Sequence, residues 1–383
     1  MIGERMKKIF ICAGDVSGDL HAASLINNIS QTDSSIKIFA IGGENLAKTQ
    51  ASFLYNIVNT GSFGISHLLK KYLYFKNVFK NIVCPMLQNE KPDLVILVDF
   101  YGFNIHIAKE AKRRNIKVIY YICPQIWASR FYRIKNIKKY VDEVIPIFPF
   151  EVDIYKKYGI EVYFAGNPLI DIIRASDIDV DIYQKFNLSR EKQLIGIMPG
   201  SRKQEIKRIL PIMLQCLKSS LSDKILFILF VSSPINKQLV LEILDDYDMR
   251  QQIKIIEGSG YSIRKRLRFC LTCSGTATTE NLILNLPMMI FYRMSYFAYF
   301  IAGLIIKIKF IGMPNIFANR HIVPEYIQFI NINKVSNEIQ NWINSDAKIN
   351  KIKQDLNNVA KMLGEPGVLG RVSAHITDKL SNY

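Results

Sequence analysis

Four short segments of the chain carry residues that could do chemistry on a phosphorylated ligand, and each follows an apolar run. The first is Ala13-Gly14-Asp15-Val16-Ser17-Gly18-Asp19-Leu20-His21. Its glycines allow a tight turn, Ser17 offers a hydroxyl and a main-chain N–H, and the helix that follows would present its N-terminus to an anion. Ser17 is the candidate contact. The spacing is not G-x-G-x-x-G, so a dehydrogenase-type dinucleotide site loses support. A plain strand-to-helix turn capped by Ser17 or Asp19 stays open.

The second segment is Leu97-Val98-Asp99-Phe100-Tyr101-Gly102-Phe103-Asn104. Asp99 ends an otherwise apolar strand, where a carboxylate is costly unless it is paired or used. A general base acting on a hydroxyl suits that position, with its pKa raised by partial burial. A helix cap is the alternative. The third is Met198-Pro199-Gly200-Ser201-Arg202-Lys203-Gln204-Glu205. Gly200 and Ser201 free backbone donors there, and Arg202 adds a bidentate cation for a phosphate. Glu205 misses capping-box spacing from Ser201 by one residue, so the segment reads as more than a cap. The fourth is Cys273-Ser274-Gly275-Thr276-Ala277-Thr278-Thr279-Glu280. Helix amides and hydroxyls at Ser274, Gly275, Thr276 and Ala277 suit a diphosphate, and Glu280 could accept from ribose hydroxyls. Two phosphate-type turns in one half, the second with a carboxylate, suit a nucleoside diphosphate.

These segments need elements to hold them. Short β-branched runs at 8–13, 37–41, 94–99, 117–122, 143–146 and 162–165 alternate with helical spacing, and the pattern pauses over 171–192. It restarts at 194–198, 225–231, 253–256, 269–272 and 288–291. Strand–helix alternation implies parallel sheets. The expected fold class is α/β, two Rossmann-like domains facing a cleft: 1–170, a linker at 171–192, and 193–359. The helical tail, about 360–383, is expected to cross back to the first domain. In such sheets ligands bind at the carboxyl ends of strands.

The chain has 383 residues, 49% hydrophobic and 22% charged, which is a core-forming composition too long for one ordinary domain. Its net charge of +17 favours an anionic partner. No recognition helix, zinc finger or aromatic platform supports nucleic acid. Of the six cysteines only Cys270 and Cys273 form a C-x-x-C, and on a strand they would point to opposite faces, which is poor metal geometry. The cysteines suit a reduced, cytoplasmic setting. The apolar residues before Asp15 are too few for a signal peptide. The stretch 296–306 falls short of the roughly 20 residues a spanning helix needs. Asp177-x-Asp179-x-Asp181 resembles a metal cluster but lies in the polar pause, so it is read as a solvated linker and no metal or other cofactor is expected.

Taken in order, the segments resemble the lipid-A-disaccharide synthase family, sugar transferases of the two-Rossmann-domain (GT-B) class. The resemblance runs from Ile11 to about Gln328. It rests on AGDVSGD at 13–19, VDFYGFN at 98–104, CPQIWASR at 123–130, FPFE at 148–151, GNP at 166–168, MPGSRKQEI at 198–206, SGTATTE at 274–280 and MPNIF at 313–317. It implies transfer from UDP-2,3-diacylglucosamine to 2,3-diacylglucosamine 1-phosphate through a β-1,6 bond, releasing UDP. Asp99 matches the family's candidate catalytic aspartate and Arg202 its arginine at the donor diphosphate. Ser274 to Ala277, Glu280 and Asn315 match the UDP-binding part, and Ser17, Gly18 and Asp19 the glycine-rich loop. The chain departs from the family at Asp15, where Glu is usual, at Tyr101-Gly102, where Pro-Asp is usual, and at Asn167, where His is usual.

Acylated substrates imply an enzyme that works peripherally at the inner-membrane surface. Residues 65–88 read as a helix with Leu68, Leu69, Tyr72, Phe75, Val78, Phe79 and Ile82 on one side and Lys70, Lys71, Lys76 and Lys80 around it, a pattern that suits an anionic interface. A long core helix is the plainer reading. The basic, apolar stretch 296–310 could face the membrane or a second subunit of a homodimer. Rival readings are a UDP-N-acetylglucosamine transferase or 2-epimerase of the same architecture, and a non-catalytic nucleotide or lipid binder.

Overall fold

A computed structural model describes residues 5–58, 68–129, 131–176, 181–232, 236–296, 299–300 and 309–383. The chain divides into two compact units, Met1–Asp171 with Leu363–Tyr383, and Ile172–Met362.

The first unit is built on a parallel sheet whose strands are β1 (Lys8–Ala13), β2 (Lys37–Gly42), β3 (Ser52–Asn56), β4 (Leu94–Val98), β5 (Lys117–Tyr121), β6 (Glu143–Ile145) and β7 (Glu161–Val162). Their order is β3-β2-β1-β4-β5-β6-β7. β4 reads LVILV and is buried at every position, as a strand covered on both faces must be. The chain runs outward from β1 to β3 and then returns to β1's other side with β4, so β1/β4 is the topological switch. Ala13 pairs with Val98 in that ladder. The two segments that leave the sheet there, Gly14–Gly18 and Asp99–Asn104, therefore emerge side by side.

The second unit repeats the plan with β8 (Gln193–Met198), β9 (Ile225–Val231), β10 (Ile253–Glu257), β11 (Phe269–Cys273), β12 (Met288–Tyr292) and β13 (Glu325–Ile327). The order β10-β9-β8-β11-β12-β13 puts its switch at β8/β11. Thr272 pairs with Met198, so the Gly200 and Ser274 segments also leave their sheet as neighbours.

Short edge strands are what the sequence pattern overlooks. β3 is only half-buried and reads SFLYN, and β13 is a three-residue EYI. β7 is shorter and begins earlier than the run 162–165 suggests. Cys270 and Cys273 are both buried and free, not turned to opposite environments, because the sheet is covered on both faces.

Asp171 belongs to the framework of the first unit. Its carboxylate accepts from the amides of Gly367 and Leu369, each at 2.7 Å, and so anchors the start of the terminal helix Val368–Ser381. That helix packs against the helix Val16–Thr32 in the same unit. Asp181 caps the short helix Ile182–Lys185 and pairs with Arg190; Asp177 and Asp179 lie outside the described residues, as does most of 296–310. No group of metal-ligating side chains occurs among the described residues.

The amphipathic helix is described from Leu68. It runs to Val78, passes through a π-turn over Phe79–Val83, and continues as Cys84–Asn89. The wider turn falls just before Pro85, whose missing N–H an unbroken α-helix would have to absorb. Val78 and Val83 are buried while Phe75, Phe79 and Ile82 pack against the core. Tyr72, expected on the apolar side, is instead exposed together with Leu73. No helix among the described residues is long and apolar enough to cross a membrane.

Candidate active site

At the β1/β4 switch the structure brings Asp15, Ser17, Gly18 and Asp99 together. Asp15, not Ser17 or Asp19, caps the helix Val16–Thr32: its Oδ1 accepts from the Gly18 amide at 2.6 Å. Asp99 and Phe100 follow β4 with φ of 43° and 47°, a left-handed pair that non-glycine residues rarely adopt and that requires the surroundings to hold it. Those surroundings are specific. The Asp99 amide donates to Ile122 O at 3.0 Å. Its carbonyl accepts from Tyr120 Oη at 2.6 Å and from Asn104 Nδ2 at 2.8 Å, and Asn104 also reaches Val98 O at 3.1 Å. The Phe100 ring lies against Gly14, where any Cβ would come within 2.0 Å of Phe100 Cδ1. Gly14 is thus required for close approach.

Burial raises the pKa of Asp99 to about 7; the negative charge of Asp15 and a hydrogen bond to Asp15 add to the rise, while the Phe100 amide and Arg133 oppose it. A carboxyl group poised near neutral pH can accept a hydroxyl proton. Deeper in the same unit, Glu151 is 1% exposed. It accepts from Trp127 Nε1 at 3.0 Å, and burial pushes its pKa to about 8. Local sequence pattern gives no role to Asp15, Arg133, Asn104 or Glu151. The signal for Asp15 is present once β1 and β4 are paired, but strand order is not written in local pattern.

Asp19 is held within the fold. Its carboxylate is 2% exposed. Oδ1 accepts from the amides of Gly43 and Leu46 at 2.6 and 3.2 Å, and Oδ2 from Asn45 N and Nδ2 at 2.8 and 3.0 Å. Asp19 therefore ties the β2 turn to the first helix, and its carboxylate is already engaged by the fold.

In the second unit, Gly200 adopts φ 112° and Gly275 φ 149°, backbone conformations that favour glycine. The helix Lys203–Leu217 begins at Arg202, and Glu205 stands at its N3 position. This corrects the sequence count from Ser201, because the capping box runs from Arg202 instead. Glu205 Oε2 accepts from the amides of Ser201 and Arg202 at 3.1 and 3.2 Å, and Oε1 accepts from Arg202 Nη1 at 2.9 Å. Arg202 remains largely exposed. Its charge and that of Glu205 both act on Cys273 at the end of β11, so the two phosphate-type turns share one edge of the sheet.

The helix Thr276–Ile283 has no side-chain cap, and Gly275, Thr276 and Ala277 are accessible at its start. Its N-terminal donors are available to an anion. Ser274 is oriented by donating its hydroxyl to Ile311 O at 2.7 Å. Glu280 accepts from Tyr261 Oη at 2.8 Å and from Arg264 Nη1 at 2.7 Å. Arg264 is 3% exposed and also holds Asn281 Oδ1 from Nε at 3.2 Å. Asn315 likewise bonds within the fold. Its Nδ2 donates to Val323 O and Glu325 Oε1 at 2.9 and 2.8 Å, and its Oδ1 accepts from the amides of Ile322 and Val323 at 2.8 and 3.1 Å. The side-chain amide is fully buried and knits the loop after 310.

Two parallel-sheet α/β units, each with functional groups at its switch point, define the GT-B architecture. Solved structures agree on the fold. The S. aureus MnaA–UDP co-structure superposes with TM-score 0.67 at 14% identity, covering 98% of this chain and 97% of that one. UDP-GlcNAc 2-epimerase from Neisseria meningitidis bound to UDP-GlcNAc gives TM-score 0.65 at 13% identity, over 97% of this chain and 100% of that one. Sequence relatives then narrow the class. Lipid-A-disaccharide synthase of Sulfurihydrogenibium sp. is 33% identical over 96% of this chain and 97% of its own length. Lipid-A-disaccharide synthase 1 of Legionella pneumophila (strain Philadelphia 1) is 34% identical over 93% of this chain and 92% of its own. The family model of lipid-A-disaccharide synthetase matches residues 9–370. The chain belongs to the lipid-A-disaccharide synthase family and is a glycosyltransferase.

Proposed function

We propose that the chain transfers 2,3-diacylglucosamine from UDP to the 6-hydroxyl of 2,3-diacylglucosamine 1-phosphate, with inversion to a β-1,6 bond and release of UDP. The observation that carries this reading is the Asp99 carboxyl at the β1/β4 switch, held in a strained backbone and buried enough to titrate near 7. Asp99 takes the acceptor's hydroxyl proton as that oxygen bonds to the donor's anomeric carbon. The bond to UDP breaks on the opposite face, so an α-linked donor yields a β product. An oxocarbenium-like transition state leaves negative charge on UDP. Arg202 and the helix start at Ser274–Ala277 stabilise that charge. Gly200 and Ser201 shape the turn that presents Arg202, and Glu280 offers remaining acceptor capacity to ribose hydroxyls. Ser17 and Gly18 line the acceptor side, while Asp19 and Asn315 act by positioning their loops.

Acylated substrates call for a surface that meets lipid. The helix Leu68–Val78 supports that role through exposed Tyr72 and Leu73 beside exposed Lys70 and Lys76, an aromatic and basic face suited to an anionic interface. We place the working enzyme at the cytoplasmic face of the inner membrane, bound peripherally. The test of the reading is an Asp99→Ala variant assayed for disaccharide and for UDP binding. Loss of transfer with UDP binding retained is expected; a non-catalytic binder or a transferase with a different base would be indifferent to the change.

A further inference from the structure

Beside the Asp15–Asp99 pair stands a cation that the fold leaves unused. Arg133 ends the 3-10 turn Phe131–Arg133, and its guanidinium lies over the Tyr101 ring, 4.3 Å from the centroid. The ring is a fixed platform, because Tyr101 is 9% exposed and its hydroxyl accepts from Asn136 Nδ2 at 3.1 Å. Arg133 Nε is buried without a hydrogen-bond partner, and the side chain forms no ion pair among the described residues. Desolvating a charged donor with no acceptor is unfavourable and leaves a site that an anion would complete. The charge of Arg133 also reaches the Asp99 carboxyl. Next to Asp99, the Phe100 ring packs with Phe75 and Phe103, which also touch each other, at centroid distances of 5.4, 6.3 and 5.4 Å. The candidate base is therefore flanked by an apolar aromatic cluster and by a stacked, unpaired guanidinium.

We propose that Arg133 binds the anomeric phosphomonoester of the acceptor and so selects a 1-phosphorylated sugar over the same sugar without phosphate. The inference rests on the transferase reading above and adds the residue that reads the acceptor's charge. A guanidinium fork matches phosphate oxygens in a bidentate way that a point charge does not. Neighbouring Lys135, Lys138 and Lys139 are exposed, and solvated ammonium groups supply attraction without geometry. Stacking on Tyr101 limits the rotamers Arg133 must give up on binding, which favours affinity.

The test compares two acceptors, 2,3-diacylglucosamine with and without its 1-phosphate, in wild type, Arg133→Met and Arg133→Lys, with UDP-2,3-diacylglucosamine as donor at fixed pH. Arg133→Met should raise KM for the phosphorylated acceptor about 10–100-fold, the range expected for lost hydrogen bonds to a charged group, while any fall in kcat from losing the positive charge that lowers the Asp99 pKa should be the same for both acceptors. KM for the dephosphorylated acceptor should be the same in both proteins. Arg133→Lys keeps the charge and should fall between them, and it carries the comparison if the Met variant melts early. An equal rise in KM for both acceptors would overturn the proposal, because Arg133 would then act only through Asp99 or the fold. Absence of disaccharide from either acceptor in the wild type would instead sink the transferase reading itself.

Discussion

Asp15 and Asp99 stand where β1 and β4 end, near enough that the negative charge of Asp15 adds to burial in raising the pKa of the Asp99 carboxyl. A carboxyl beside a second acid ionises less readily, and burial with that neighbour holds the Asp99 pKa up to about 7. Asp15 also caps the first helix, which fixes it in place as the partner that tunes the candidate base.

That relationship predicts a pH profile. A base must be deprotonated to act, so kcat/KM should fall on the acid side of about 7, following the Asp99 carboxyl. Asp15→Asn removes a negative charge that raises the Asp99 pKa, and the acidic limb should move to lower pH. Asp99→Asn should abolish the limb along with most of the activity. A limb unmoved in Asp15→Asn would mean that another group titrates.

Arg202 offers a separation of catalysis from stability. Its ion pair with Glu205 is largely exposed on the arginine side, and such pairs contribute about 0–1 kcal/mol. Arg202→Ala should therefore leave the melting temperature nearly unchanged while kcat falls about 10²–10³-fold, the loss typical of one donor to developing charge. Steady-state kinetics beside a thermal melt would check both halves, and a melt that falls in step with kcat would argue for a structural role.

Arg264 should behave the opposite way. It is 3% exposed and bridges Glu280 and Asn281. Arg264→Met strands the Glu280 carboxylate with only the Tyr261 hydroxyl, and breaking a buried pair this way costs about 3–5 kcal/mol. Chemical denaturation should show the loss in the second unit's transition. Near-wild-type stability would mean that water reaches Glu280 freely.

Glu151 links stability to pH. Burial holds its proton up to about 8, whereas an unfolded glutamate releases it near about 4.3. Between those values the folded protein keeps a proton that the unfolded chain has lost, so stability declines as pH rises, and the penalty is complete above the folded pKa. Glu151→Gln is neutral throughout and can still accept from Trp127 through its carbonyl oxygen. Its gain in melting temperature over wild type should grow from about pH 5 to about pH 8, and a constant difference across that range would contradict the assignment.

The sequence shows its parallel strands clearly because β1, β4, β8 and β11 are continuous apolar runs that can only be buried on both faces. Asp99 and the Gly200 and Ser274 turns are legible for the same reason: each breaks such a run at its carboxyl end. Side-chain partners are less legible. Asp19 and Asn315 sit in ligand-like motifs, yet their polar atoms are engaged by backbone groups that lie 24 to 27 residues away for Asp19 and 7 to 8 away for Asn315. Only the fold decides between a ligand and a loop for them. Arg133 and Arg264 belong to no chemical motif, and their roles arise from what packs around them.

The most direct test of the central claim is product analysis with purified protein, UDP-2,3-diacylglucosamine and 2,3-diacylglucosamine 1-phosphate, in the presence of a chelator. The anomeric coupling constant and linkage of the product would be read by NMR while UDP is quantified. The account predicts a β-1,6-linked disaccharide formed with one UDP per molecule. An α linkage, UDP released without disaccharide, or a sugar nucleotide epimerised at C2 would contradict it.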